Sequence, residues 1–160
     1  TPTSYWKTFS TEGGIRVPLL ISGPGVKGGR QSDAFAYVTD IMPTILELTG
    51  VAYPAELGGR KVEPMRGRSM VELLNGEKNA IYSDAELVGG ELGDGKWMRQ
   101  GPFKAVFIPP PYGTGAWQLF NVVDDPGEAN DLSKSMPEKL DSLKAAWDQY
   151  AKDVGVVPPA

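Results

Sequence analysis

Cysteine and histidine are both missing from the sequence, and each absence excludes a class of site. Without cysteine there is no disulfide framework and no thiol nucleophile. Without either residue there is no zinc site of the usual kind and no Ser/His/Asp triad. Acid–base chemistry near neutral pH would therefore need a Glu, Asp or Lys with a shifted pKa.

Long apolar runs and an excess of basic residues are missing as well. No stretch approaches the ~20 apolar residues of a membrane-spanning helix, so we expect no membrane span. A net charge of −4 makes nucleic acid a poor partner. With 41% hydrophobic and 22% charged residues, the composition predicts a soluble protein, and we favour the cytoplasm over the periplasm. The opening, Thr1-Pro2-Thr3, has no leader and fits a segment excised from a longer protein.

The first half of the chain is typical of the end of an α/β domain. Residues 17–22 form a nearly continuous apolar run before a Gly-Pro-Gly turn, which predicts a strand buried on both faces. A short amphipathic helix is predicted over residues 40–50, capped by Thr39 or Asp40 and closed by Gly50 in a left-handed conformation. One or two further helical turns are predicted over residues 69–74.

The second half changes to a β pattern followed by one helix. Four short strands separated by turn residues predict an antiparallel meander, at 80–85, 96–100, 103–108 and 117–123. A capping-box pattern at Ser135–Glu138 starts an amphipathic helix that Gly155 ends, with Pro158-Pro159 beyond it. The helix can cover one face of the sheet, which gives a small α+β layer.

One cation precedes the predicted buried strand in a loop rich in hydroxyl groups and glycine. Lys7 is a compact point charge suited to an anionic group. Gly13-Gly14 permits either a tight turn with positive φ or a close approach of the backbone. Glu12 and Arg16 are four residues apart and are expected to pair. On residue types alone, a solvated loop lysine is the favoured interpretation.

A family resemblance changes that interpretation. Lys7, followed by Glu12-Gly13-Gly14 and Arg16-Val17-Pro18, resembles the segment that type I sulfatases carry near the end of their catalytic domain. Segments 38–50, 67–76, 98–104 and 119–132 resemble family segments in the same order, most closely those of bacterial arylsulfatases. The family's lysine reaches the sulfate group of the substrate, so the resemblance implies a sulfate-binding role for Lys7. It is the only residue here that we assign to the active site.

The resemblance also implies a fold and a chemistry for the whole protein. Residues 1–78 would be the α/β tail of an alkaline-phosphatase-like mixed-sheet domain, and residues 79–160 a small α+β subdomain with a four-stranded sheet and a covering helix. The family uses a formylglycine nucleophile and a calcium ion. The formylglycine motif, Cys/Ser-x-Pro-x-Arg, is absent here. We therefore expect the nucleophile and the calcium ligands in an N-terminal part of the same protein, and the chain alone to be inactive.

The substrate implied is a small sulfate monoester, with aryl sulfates favoured. Two alternatives stay open. One is hydrolysis of phosphonate or phosphate monoesters, because related folds share this chemistry. The other is a non-catalytic packing or interaction domain, if the chain acts alone. In an isolated chain the apolar surface around Leu19 and Ile21 is expected to be exposed.

Three other features have competing interpretations. The acidic cluster Asp124, Asp125, Glu128 and Asp131 suggests calcium, but it lacks EF-hand spacing, so turn formation is favoured. The tryptophans at 97, 117 and 147 suggest a sugar platform, but core packing is favoured. The proline-rich loop 109–112 suits a proline-reading partner or a hairpin loop that leans toward the catalytic cleft. In the second case Tyr112 and Trp117 would shape substrate specificity.

Overall fold

A computed structural model describes residues 3–157, which divide into two compact units. The described parts of segments 1–18 and 84–160 form the sheet unit, and Leu19–Ser83 form the helical unit. The elements in chain order are α1 (Glu12–Ile15), a 3-10 helix (Val38–Asp40), α2 (Ile41–Thr49), β1 (Glu56–Leu57), β2 (Arg60–Lys61), α3 (Val71–Leu74), β3 (Leu87–Leu92), β4 (Gly95–Gln100), β5 (Phe103–Phe107), β6 (Trp117–Asn121) and α4 (Pro137–Val154). None of the helices in the described range is long and apolar enough to cross a membrane.

The sheet unit is an antiparallel meander of four strands, in the order β3-β4-β5-β6, with α4 packed on it. Its register aligns Met98, Ala105 and Leu119 in one row across three strands. Leu143 and Trp147 of α4 cover this row, and all five side chains are buried. The predicted sheet with its covering helix is therefore confirmed.

The tryptophans at 97, 117 and 147 belong to the hydrophobic interior, as the sequence predicts. Trp97 and Trp147 are buried. Trp117 is half-buried against the same core and its ring centroid lies 5.9 Å from that of Trp147. A sugar-stacking platform built from these three rings is not what the structure shows.

The first strand lies elsewhere than predicted. Residues 80–85 form bends and turns, and the strand is β3, which contains Gly89 and Gly90, a pair typical of turns. A Cβ on Gly90 would lie 2.6 Å from Nε1 of Trp97, and one on Gly89 would lie 2.5 Å from Cε of Met98. Glycine inside a strand marks close approach as well as turns, and here it makes room for two large side chains of β4.

Helix α4 matches its prediction except at its start. Leu143 and Trp147 are its buried residues, and Gly155 ends it with φ of 72°. The predicted capping box is wrong, because Met136 is the N-cap and no side chain caps the helix. The Ser135 hydroxyl instead donates to the carbonyl of Leu132, within the preceding turn. Pro158 and Pro159 lie outside the described residues.

The helical unit is organised around a buried carboxylate. Asp40 is fully buried, and its oxygens accept hydrogen bonds from the backbone N–H of Tyr37 at 2.7 Å and of Arg68 at 2.8 Å. The Tyr82 hydroxyl donates to the same carboxylate at 2.5 Å. Asp40 is also the N-cap residue of α2, but its side chain makes no capping bond to that helix and instead accepts from these three donors.

The two helices predicted in this unit are confirmed. Helix α2 ends at Gly50, whose φ is 68°, and α3 is a single turn before residues 75–76. Thr44 joins them, because its hydroxyl donates to the carbonyl of Asp40 at 2.6 Å and accepts from the N–H of Met70 at 2.9 Å. The apolar face of α2 is exposed nonetheless, at Ile41, Ile45 and Leu48.

The predicted buried strand at residues 17–22 is wrong for this chain. The segment has no regular secondary structure, and Leu20 is 94% exposed. A buried strand needs neighbours for its backbone hydrogen bonds, and neither described sheet includes this segment. The exposure expected around Leu19 and Ile21 is seen at Leu19, whereas Ile21 is partly covered. The domain boundary near residue 78 stays a prediction.

Candidate active-site segment around Lys7

Lys7 lies in a turn before α1, within residues 4–11, which we call the Lys7 loop. Its side chain is exposed. Two loop residues have left-handed backbones, Tyr5 with φ of 59° and Thr8 with φ of 89°. The N–H of Phe9 donates to the carbonyl of Trp6 at 3.2 Å and closes the turn around Lys7. Positive φ is uncommon outside glycine, so this loop holds a specific conformation that leaves the ammonium group accessible.

The glycine pair after the loop allows a close approach of backbones. A Cβ on Gly13 would lie 2.2 Å from the carbonyl oxygen of Ser4, and one on Gly14 would lie 2.0 Å from that of Phe9. The N–H of Gly13 donates to Ser4 at 3.1 Å, and the hydroxyl of Thr11 donates to the same oxygen at 2.7 Å. Of the two roles considered for this pair, close approach is the one observed. The Lys7 loop is thereby folded back onto α1.

A buried ion-pair cluster joins α1 to the sheet, and we call Lys104, Glu12 and Glu128 the Lys104 network. Lys104 is a β5 residue with 0% exposure. Its Nζ lies 2.9 Å from Oε1 of Glu12 and 3.0 Å from Oε1 of Glu128. The other oxygen of Glu128 accepts from the backbone N–H of Glu12 at 2.9 Å. Glu12 is thus held at its side chain and at its backbone.

The Lys104 network contains two carboxylates and one ammonium group, so one buried carboxylate is in excess. Burial raises the pKa of Glu128, although Lys104 and the N–H of Glu12 oppose that shift. Arg16 provides a second cation, 3.7 Å from Glu12, which confirms the predicted pair. Burial also lowers the pKa of Arg99, and Glu12 opposes this. Removing one partner of a buried ion pair typically costs about 3–5 kcal/mol, because the remaining charge loses its counterion.

Tyr112, in the loop between β5 and β6, lies against the Lys7 loop. Its carbonyl accepts from the hydroxyl of Tyr5 at 2.5 Å, and its ring makes an edge contact with Phe9 at 5.3 Å between centroids. A cavity of about 360 Å³ lies here, lined in part by Tyr5, Tyr112, Gln118 and Glu128. Tyr112 therefore borders open space next to the loop that carries Lys7, whereas Trp117 belongs to the core.

The acidic cluster at 124–131 is used for turns. Both the Ala129 and Asn130 N–H groups donate to Asp125, at 2.9 Å and 2.8 Å. Although burial raises the pKa of Asp131, hydrogen bonds to its carboxylate bring that pKa below its ordinary value. Glu128 belongs to the Lys104 network instead. Across residues 3–157, no cluster of three or more acidic side chains could hold a metal ion, so these residues do not fit a calcium site.

Sequence reasoning missed Lys104 and Glu128. The pattern offered one indication, because Lys104 interrupts an otherwise apolar strand, Phe103–Phe107. A charged residue inside such a strand is seldom buried without a partner. Glu128 gave no comparable indication among its turn-forming neighbours. Both residues contact Glu12 of α1, whereas Lys7 is exposed at the surface.

Comparison with known proteins decides the family. Residues 3–88, more than half of the chain, match the family model described as N-sulphoglucosamine sulphohydrolase, C-terminal. The chain belongs to the sulfatase family. This sulfatase chain is 36% identical over 159 residues to an uncharacterized sulfatase of Schizosaccharomyces pombe, a match that covers 98% of this chain and 28% of that protein.

One further relative agrees with this assignment, and one solved structure shares the fold. Arylsulfatase K of Danio rerio is 30% identical over 146 residues, covering 87% of this chain and 26% of that protein. The crystal structure of Ps i-CgsB superimposes with a TM-score of 0.76 at 24% identity, covering 94% of this chain and 32% of that one. These likenesses and the observed sheet with its C-terminal helix confirm the predicted fold class. The chain spans about a quarter of the length of the curated relatives it matches.

Proposed function

We propose that this chain is the C-terminal part of a sulfatase that hydrolyses small sulfate monoesters, with aryl sulfates favoured, and that Lys7 binds the sulfate group. One observation carries the proposal: in a chain of the sulfatase family, Lys7 is exposed on a loop that is tied through α1 to a buried ion-pair network. A solvated surface lysine does not need a support of this kind. The name of the relative Arylsulfatase K supports the aryl preference.

Lys7 contributes charge stabilisation at a fixed place. Its ammonium group is a compact donor that suits a tetrahedral anion. A cation held beside the oxygen where negative charge develops lowers the barrier without rearranging during the reaction, and removal of one such contact typically costs about 3–4 kcal/mol. The Lys7 loop is the segment of this chain that orients this ammonium group.

The nucleophile and the metal are assigned to the part of the protein outside this chain. A formylglycine and a calcium ion belong to this proposal through the family, but the sequence has no cysteine to convert and the described residues do not fit a metal. No step through either group is derived from these residues. Their part in the reaction is to bind and orient the sulfate.

The N-terminal part of the same protein is the proposed partner of the helical unit. Leu20 is exposed there, together with the apolar face of α2 at Ile41, Ile45 and Leu48. Contiguous exposed apolar surface marks an interaction site or an aggregation liability. We assign this surface to the remainder of the catalytic domain.

Tyr112 is the proposed specificity residue. It borders the cavity, contacts Phe9 of the Lys7 loop and is 61% exposed. An aromatic ring in that place supplies a face for the ring of an aryl or sugar leaving group. Tyr112→Ala in the full-length protein is expected to change the ratio of kcat/KM between an aryl sulfate and a sulfated sugar. An unchanged ratio would remove Tyr112 from the proposal.

A substrate comparison tests the reaction class. The full-length protein would be assayed side by side on an aryl sulfate, N-sulfoglucosamine and an aryl phosphonate, with this chain alone as the matched control. We expect the aryl sulfate to be preferred in kcat/KM and the chain alone to be inactive. Preference for the phosphonate would instead favour hydrolysis of phosphonate or phosphate monoesters, the alternative that the sequence leaves open. Inactivity of the full-length protein on all three would favour a non-catalytic role.

A further inference from the structure

We propose that Lys104 is a positioning residue for Lys7, acting through Glu12 and Glu128. The inference rests on the proposed function, because it assigns to Lys104 the task of fixing the sulfate-binding cation. Lys104 is fully buried on β5 and does not reach the solvent where Lys7 lies. Its influence on the site is therefore indirect.

The first link runs from the sheet to α1. Lys104 holds the carboxylate of Glu12 at 2.9 Å, and Glu128, itself bound to Lys104, accepts from the backbone N–H of Glu12. Glu12 is thus fixed at two points by residues that lie 92 and 116 positions away in the chain. Two directional contacts to one residue define the orientation of α1 as well as its location.

The second link runs from α1 to the Lys7 loop. Gly13 donates to the carbonyl of Ser4, Gly14 donates to the carbonyl of Thr11, and Phe9 closes the turn with Trp6. The loop backbone lies so near that a Cβ on either glycine would overlap a carbonyl oxygen. Because this backbone contact is so tight, a shift of α1 displaces the Lys7 loop as well.

The Lys104 network is better suited to fixing the position of α1 than to stabilising the fold. A buried ion pair is often no more stabilising than apolar side chains of the same volume, because both charges must leave water. It does, however, fix the distances between its members. A misplacement of about 1 Å in a group that binds the reacting atoms can lower a rate by ~100-fold. Directional contacts between Lys104 and α1 provide that accuracy.

A double-mutant cycle in the full-length protein tests the inference. Lys104→Met and Lys7→Ala would be made singly and together, and kcat/KM on an aryl sulfate and the inhibition constant of inorganic sulfate measured for each. Lys104→Met is expected to lower kcat/KM about tenfold or more and to weaken sulfate inhibition, with little further effect when Lys7 is already alanine. Two residues that act as one unit are non-additive in this way.

The matched control is Lys96→Met, on the neighbouring strand β4. Lys96 lies over the rings of Phe107 and Trp147, at 5.3 Å and 4.7 Å from their centroids, and does not belong to the network. Its substitution is expected to leave both kinetic readouts unchanged. The sulfate inhibition constant matters because loss of folded enzyme lowers the apparent rate but does not change that constant.

Each outcome of the cycle has one meaning. An equal fall in kcat/KM in both Lys7 backgrounds, or an unchanged sulfate inhibition constant, would show that Lys104 is structural and overturn the inference. If Lys104→Met does not fold, Glu128→Gln gives the same cycle and the same expected non-additivity. Near wild-type activity of Lys7→Ala alone would instead contradict the proposed function, so the two failures are distinguishable.

Discussion

The two units of the chain bury different kinds of side chain. In the sheet unit, ten buried aliphatic, aromatic or methionine side chains form the interior, whereas the helical unit buries only Pro43 and Met70 among its described side chains of these kinds. The helical unit is held by the carboxylate of Asp40 and the hydroxyl of Thr44, and it exposes apolar side chains. The sheet unit thus buries an apolar core of its own, whereas the helical unit leaves apolar side chains exposed.

The largest expected effect comes from the core of the sheet unit. Leu143→Ala in the full-length protein should lower the free energy of unfolding by about 2–5 kcal/mol, because the side chain is fully buried among well-packed neighbours. Denaturant unfolding gives the value, with Leu92→Ala on the exposed end of β3 as the control. Equal losses at the two leucines would contradict the assignment of the core.

A smaller effect is expected at the polar centre of the helical unit. Asp40→Ala removes the acceptor for Tyr37, Arg68 and Tyr82, and should lower the free energy of unfolding by about 1–3 kcal/mol. Asp40→Asn keeps one acceptor oxygen and should cost less. If thermal unfolding shows both variants to be as stable as the wild type, the polar network does not hold this unit together.

The smallest effect is expected at Leu20 in this chain alone, and it sharpens the comparison between the units. In this chain alone, Leu20→Ala should change the free energy of unfolding by less than about 0.5 kcal/mol, because the side chain is 94% exposed. In the full-length protein the same substitution should cost about 2 kcal/mol or more, if the proposed partner buries it. Identical small values in both proteins would mean that nothing covers Leu20.

Elements with a strong local pattern could be predicted from the sequence, and elements that depend on distant residues could not. Helices α2 and α4 and strands β4 to β6 follow their own periodicity and turn residues. Strand β3 could not be predicted locally, because Gly89 and Gly90 are typical of turns. In the fold they make room for Met98 and Trp97 of the next strand. An apolar run such as residues 17–22 predicts a buried strand, but neither described sheet includes this segment and Leu20 is 94% exposed.

The candidate site likewise contains features that the sequence predicts and features that it does not. Lys7 was found through its resemblance to a sulfatase segment, and the pairing of Glu12 with Arg16 follows from their spacing. The contacts of Lys104 with Glu12 and Glu128 span 92 and 24 residues. No local pattern encodes such separations, so the partners of Lys104 in this network are seen only in the fold.

Replacement of Lys7 in the full-length protein tests the central claim most directly. Lys7→Ala would be compared with Lys134→Ala, an exposed turn lysine of the same unit, with unfolding measured in parallel. We predict that Lys7→Ala lowers kcat/KM on an aryl sulfate by about 100-fold or more with the fold intact, and that Lys134→Ala leaves it unchanged. A near wild-type rate for Lys7→Ala would make Lys7 a solvated loop residue and contradict the account.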